Sequence, residues 1–187
     1  MWSSGDTTQI IDINNSGQYY VSVNDSVGCS SDTSVIIDFP NPMVVSIDSI
    51  SNVNCFDGSN GYISSYTYGG VAPYTYLWNN SYTTEDLDNI SIGYYYVIVT
   101  DSNGCYNTAS GFISEPPLLQ INSVNIVDIS CNGEIDGSAQ ILTSGGTEPY
   151  TFNYGNYISG DSLSEGSYSV SVTDANSCFS ITEFSIL

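Results

Sequence analysis

The feature that most constrains this chain is its self-similarity at a spacing of 76 residues: Trp2 recurs as Trp78, Cys29 as Cys105, Pro40 as Pro116 and Cys55 as Cys131. Gly69-Gly70 with Pro73-Tyr74-Thr75 returns at the same offset as Gly145-Gly146 with Pro149-Tyr150-Thr151. Asp101 and Cys105 reappear as Asp174 and Cys178 at an offset of 73, so the last copy is three residues shorter between Tyr154 and Gly166. One offset kept across so many rare residues marks a tandem array in which each unit is a structural module. The expected division is the C-terminal half of a unit over 1–40, a complete unit over 41–116 and a further unit over 117–187. Because it starts within a unit, the chain is expected to be a fragment.

Inside each unit the pattern is one of short strands and turns. In the complete copy, Met43 to Val53 reads as a strand and Cys55 to Gly61 as a turn cluster. Tyr62 to Tyr68 follows as a strand closed by Gly69-Gly70, and Tyr74, Tyr76 and Trp78 share one face of the next at period 2. A short segment lies around Thr83 to Ile90. Tyr95, Val97 and Val99 then share a strand face, matched by Tyr19, Val21, Val23 and by Tyr168, Val170, Val172. Thr100 to Gly104 is a turn, and Tyr106 to Ser114 is the last strand before Pro116-Pro117. About seven short strands with turn signals every 8–12 residues predict an all-β chain of tandem immunoglobulin-like β-sandwich repeats.

Composition says what such a chain does not do. It carries 20 Asp+Glu and no Lys, Arg or His, for a formal net charge of −20. No group can neutralise phosphate, which excludes nucleic acid as a partner. Docking on anionic membrane needs basic clusters, and no run of apolar residues is long enough to insert in a bilayer. Without His, Lys or Arg there is no triad, Schiff base or P-loop chemistry. Carboxylate-only chemistry formally survives, but Glu85, Asp86 and Asp88 read as a solvated acidic edge rather than a catalytic pair. The expectation is a protein that is not an enzyme. No leader segment is visible after Met1.

Three stretches carry a family resemblance: Cys55-Phe-Asp-Gly-Ser-Asn-Gly-Tyr-Ile63, Gly69-Gly-Val-Ala-Pro-Tyr-Thr-Tyr-Leu-Trp78, and Ile92 to Cys105. They resemble the SprB repeat of large gliding-motility adhesins of the Bacteroidota. The last unit matches through Cys131 to Ala139, Gly145 to Phe152 and Gly166 to Cys178, departing at Tyr154 for Trp and at Ser177 for Gly. The resemblance implies a type IX-secreted, extracellular cell-surface filament, attached to the outer membrane through its parent protein. Its implied partners are surface polysaccharide or other cell-surface and secretion-system components.

Five cysteines at repeat-locked positions in a secreted chain read as a disulfide framework. The simplest pairing joins Cys55 to Cys105 and Cys131 to Cys178, leaving Cys29 with a partner outside the fragment. Sandwich geometry opposes this, since the two turns would lie at opposite poles. The alternative, Cys55 to Cys178, would staple successive units. Free buried thiols are the third reading, and zinc is disfavoured by isolated cysteines and the lack of His.

No cofactor is expected. Asp57 and Asp136 in the Gly-rich turns, and Asp25, Asp101 and Asp174 before the late cysteines, are the candidate calcium ligands. An aspartate that bonds its own turn is the simpler account of these residues. Tyr62, Tyr66, Tyr68, Tyr94 and Tyr96 alternate away from the expected core and are candidate glycan contacts. The third unit has Ser138, Leu142, Ser144, Ser167 and Ser169 in their places. Thr7, Ser26, Ser49 and Ser162 sit in Asp-Ser/Thr triplets resembling an O-glycosylation acceptor of secreted Bacteroidota proteins. The expected function is a non-catalytic adhesin shaft, with polysaccharide-binding repeats as the alternative and a module of an extracellular hydrolase as a distant third. Pro40, Pro42, Pro116 and Pro117 would stiffen the joints.

Overall fold

Alternating apolar residues between Gly-rich turns fold, in a computed structural model that describes residues 1–157 and 159–187, into antiparallel strands, with no helix among the described residues. No helix is therefore long and apolar enough to cross a membrane. A first hairpin pairs β1 (Gly17–Asn24) with β2 (Ser30–Ile37). The next six strands are β3 (Val44–Ser51), β4 (Gly61–Tyr68), β5 (Thr75–Trp78), β6 (Leu87–Ile90), β7 (Gly93–Thr100) and β8 (Tyr106–Ile113). They form two three-stranded sheets, ordered β3-β4-β6 and β5-β7-β8. The last six are β9 (Gln120–Val127), β10 (Gly137–Ser144), β11 (Thr151–Asn153), β12 (Asp161–Leu163), β13 (Gly166–Thr173) and β14 (Phe179–Ile186). They repeat the arrangement as β9-β10-β12 and β11-β13-β14. Each set has six strands where the sequence suggests about seven. Residues 79–86 form the connection that a seventh would need, and Asn79-Asn80-Ser81 turns it back so that the Trp78 N–H donates to the Tyr82 carbonyl at 2.9 Å.

Alternation decides which face is dry. On β4 Ile63 and Ser65 are buried, on β7 Val97 and Val99, and Trp78 on β5, at the edge of the β7 sheet and paired in register with Val97, is buried with them. The Trp78 indole N–H donates to the Thr84 carbonyl at 2.9 Å, which ties the 79–86 connection to the core. In the last set Leu163, Val170, Val172 and Ile186 are fully buried, and the half-buried Tyr154 stands where Trp78 does. Tyr19, Tyr95 and Tyr168 share one further role. Each begins the strand after a turn and donates its hydroxyl to a carbonyl four residues back: Asn15 at 2.8 Å, Ser91 at 3.0 Å and Ser164 at 2.7 Å. A tyrosine at that place, bonded upstream, is the tyrosine corner of immunoglobulin-like sandwiches. The fold is all-β and immunoglobulin-like.

The paired glycines hold the incoming chain. Gly69 has φ +73°, and a Cβ there would lie 2.2 Å from the Pro42 carbonyl oxygen. Gly145 has φ +77°, and its Cβ would lie 1.9 Å from that of Leu118. Only glycine accommodates both that conformation and that approach. Beside them, the Gly70 N–H donates to the Asn41 carbonyl at 2.7 Å and the Gly146 N–H to that of Pro117 at 2.8 Å. Both linkers are thus clamped against the sandwich they enter.

Candidate functional site

The chemistry-bearing residues gather at the two poles of each sandwich. At the pole where the chain enters, the turn between β7 and β8 is built on Asp101. Its Oδ1 accepts the N–H groups of Asn103 at 2.9 Å and Cys105 at 2.8 Å, and its Oδ2 that of Val71 at 3.0 Å. Burial opposes the charge, yet the N–H donors of Val71, Cys105, Asn103 and Gly104 prevail and hold the carboxyl below the usual carboxylate range. Asp174 repeats this with Asn176 at 2.8 Å, Cys178 at 2.9 Å and Thr147 at 2.8 Å. Asp25 does so with Val27 and Cys29, both at 2.9 Å, and the Cys29 N–H leads in lowering its pKa.

At the exit pole sits the other cysteine turn. The Gly58 N–H donates to the Cys55 carbonyl, and the Glu134 N–H to that of Cys131, both at 3.0 Å. The turn is closed by an acceptor six residues on: Asn60 Oδ1 takes the Asn54 N–H, and Asp136 Oδ1 takes that of Ser130, again at 3.0 Å. The Ser130 hydroxyl, then its N–H, hold the Asp136 carboxyl below its ordinary value.

The two kinds of turn meet across the joint. Cys55 is bonded to Cys178, with Cα atoms 5.7 Å apart, and Cys29, Cys105 and Cys131 are exposed thiols. This corrects the within-unit pairing of Cys55 with Cys105 and of Cys131 with Cys178. The eight-residue strands β4 and β7 separate the two turns of one sandwich by about 26 Å, whereas a disulfide spans at most about 7 Å between Cα atoms. Beside the bond, Asn176 Nδ2 donates to the Asn54 carbonyl at 3.0 Å. Phe56, Pro116, Leu118, Leu119 and Phe179 line a cleft of about 280 Å³ there.

The candidate tyrosines divide between two surfaces. Tyr66 and Tyr68 on β4 are exposed, with ring centroids 5.9 Å apart. Tyr62 is half-buried and its hydroxyl meets Asp86 Oδ2 at 3.2 Å. Tyr94 and Tyr96 on β7 are exposed beside Phe112, the register partner of Tyr94. Since β4 and β7 belong to opposing sheets, the structure brings these five together into no single platform. Asp86 also accepts the Ser65 N–H at 3.0 Å, so it pins a connection to β4, a role that sequence reading missed because its partner is 21 residues away. Among the described residues no group of three or more His, Cys, Asp or Glu could hold a metal ion. The Asp25 carboxylate is committed to its own turn, and those of Asp101 and Asp174 to their turns and to the N–H groups of Val71 and Thr147. Thr7, Ser26, Ser49 and Ser162 are exposed.

The SprB repeat family model matches residues 47–83 and 123–153. These two segments are similar to SprB repeats. They occupy the same part of each sandwich, from the first strand past the paired glycines, and the family is one of extracellular cell-surface proteins, with which the disulfide agrees. No curated protein matches the chain in sequence. Among solved structures it is similar to the N-terminal eight Ig domains of Down Syndrome Cell Adhesion Molecule isoform 1.30.30. The identity is 13% and the TM-score 0.41, over 99% of this chain and 31% of that one. It is similar also to a structure of Dpr2 Ig1-Ig2 in complex with DIP-Theta Ig1-Ig3, at 14% identity and a TM-score of 0.32, over 91% of this chain and 72% of that one. The chain thus spans about a third of the length of the first of these structures.

Proposed function

We propose that this segment is the shaft of a large secreted filament at the cell surface, a non-catalytic part of a gliding adhesin whose ligand contacts lie elsewhere. The observation that carries this reading is the joint. A linker gripped by paired glycines on both units, a side-chain bond from Asn176 and a covalent bond from Cys55 to Cys178 limit how one sandwich can swing on the next. The units would be 41–116 and 117–187, with 1–40 half of another. Export by type IX secretion, attachment to the outer membrane through a parent protein, and O-glycosylation at the exposed Thr7, Ser26, Ser49 and Ser162 belong to the same proposal. The absence of Lys and Arg would also deny trypsin-like proteases a cleavage site.

A second reading is that the exposed aromatics of SprB repeat 47–83 and its sandwich bind polysaccharide. It is favoured by the Tyr66–Tyr68 pair and by Tyr94, Tyr96 and Phe112, which lie on two separate surfaces. A pull-down on insoluble polysaccharides, with and without calcium, separates the two readings. The chain is tested beside Tyr66/Tyr68→Ser and Tyr94/Tyr96→Ser variants. A shaft leaves all three in the supernatant. Retention of the parent chain that either variant loses would overturn the shaft reading and make that face the adhesive surface.

A further inference from the structure

We propose that one pairing rule, the early cysteine of a repeat to the late cysteine of the next, operates at every joint of the array, so that Cys105 and Cys131 are the open halves of two further covalent joints whose partner is another SprB repeat. The inference deepens the shaft reading and rests on it only in requiring further repeats at either end.

The geometry of the formed joint is already present at both open poles. Cys105 is held by Asp101 in the turn that Asp174 builds around Cys178, with N–H to Oδ1 distances of 2.8 and 2.9 Å. Asn103 stands where Asn176 reaches across to the Asn54 carbonyl. Cys131 is held in the turn of Cys55, with the same hydrogen bond from the residue three positions on and the same closure by the acceptor six positions after the residue before it. Both thiols are exposed, as a half-joint requires. Neither can reach the remaining cysteine of its own sandwich, because the strands hold early and late turns at opposite poles. The seat for a preceding unit is also built, since Gly69 and Gly70 grip Asn41-Pro42 as Gly145 and Gly146 grip Pro117-Leu118. Cys29, in the same Asp25 turn, falls under the rule as the late cysteine of its unit. Each repeat is then bonded once to each neighbour, and tension passes along the array through covalent bonds as well as through linkers.

Closing a joint makes one Sγ–Sγ bond from two thiols. Two S–H bonds break, two protons leave, and two electrons pass to a disulfide oxidant that is itself reduced to two thiols.

The test extends the full chain by a second copy of residues 115–187 placed directly after Leu187, so that the new joint has the Glu-Pro-Pro-Leu-Leu linker of the existing one. Phe179→Tyr and Ile135→Val in the added copy mark its late- and early-cysteine peptides by mass, so that a bond from either copy of Cys131 is told apart. The protein is oxidised with glutathione disulfide, alkylated, cut with chymotrypsin (trypsin has no site) and mapped by mass spectrometry. Of its seven cysteines, four pair, as Cys55 to Cys178 and as Cys131 to the marked late-cysteine peptide, and three are alkylated. In the unextended chain Cys131 is alkylated. Cys131 left alkylated in the extended chain, or paired within its own repeat, overturns the rule. In either case a particle lengthened by one repeat in small-angle scattering would leave the shaft reading standing, and a collapsed one would remove both.

Discussion

At the scale of single residues, the late-cysteine turn shows how an all-acidic chain uses its charges. Asp101 has no cation to pair with, since the sequence contains none, and its negative charge is met by backbone N–H groups instead. A carboxyl lowered in the folded state contributes stability that is complete above the unfolded value of about 3.9 and is lost as pH falls through the folded value. Asp25, Asp101 and Asp136 all shift in that direction. The stability that these three turns contribute is therefore expected to be lost as pH falls below about 4. Asp101→Asn, which turns a donor toward the Val71 or Cys105 N–H, should melt several degrees lower at pH 7 and lose less on acidification. Thermal melts of both proteins from pH 7 to pH 2 check this, and parallel curves would refute it. The Asp-Ser-Asn-Gly pattern was legible as a turn from sequence because its bonds are local. The donation from Val71 to Asp101, across 30 residues, was not.

At the scale of the element, period-2 alternation found β5 and β7 and placed Val97, Val99, Val170 and Val172 correctly inside, whereas β6, with the buried Leu87 and Ile90, read only as a short segment. Alternation did not reveal what Tyr95 does. The expectation that it faces inward with the valines holds, for it packs against the core while partly exposed, but its hydroxyl reaches back to Ser91. Tyr95→Phe keeps the packing and leaves that carbonyl without its partner, so it should cost about 1 kcal/mol. Trp78→Ala removes the largest fully buried side chain and should cost about 3–5 kcal/mol. Denaturant titration checks both, and equal costs would mean that the Trp78 site collapses without a cavity. Tyr62 and Tyr66 illustrate the limit of face parity. They share a side of β4, but Asp86 covers one and leaves the other to solvent.

At the scale of the whole molecule, a net charge of −20 repels itself with no opposite sign to relieve it. Added salt shortens the reach of that repulsion from about 30 Å at 0.01 M to about 10 Å at 0.1 M. Melting temperature should therefore climb across that range, and millimolar calcium should act at least as strongly as the same ionic strength of sodium. A flat profile would mean that the charges are already too far apart to matter.

The sequence alone determined the repeat, its length, its all-β character and turns, and the chemistry it excludes, because each of these rests on residue identity or on neighbours within one turn or strand. The tertiary structure decided which cysteines meet, which tyrosines share a surface and what the paired glycines grip. Those outcomes depend on strand direction, on strand length set against the short reach of a disulfide, and on which sheet each strand joins. No local pattern records them.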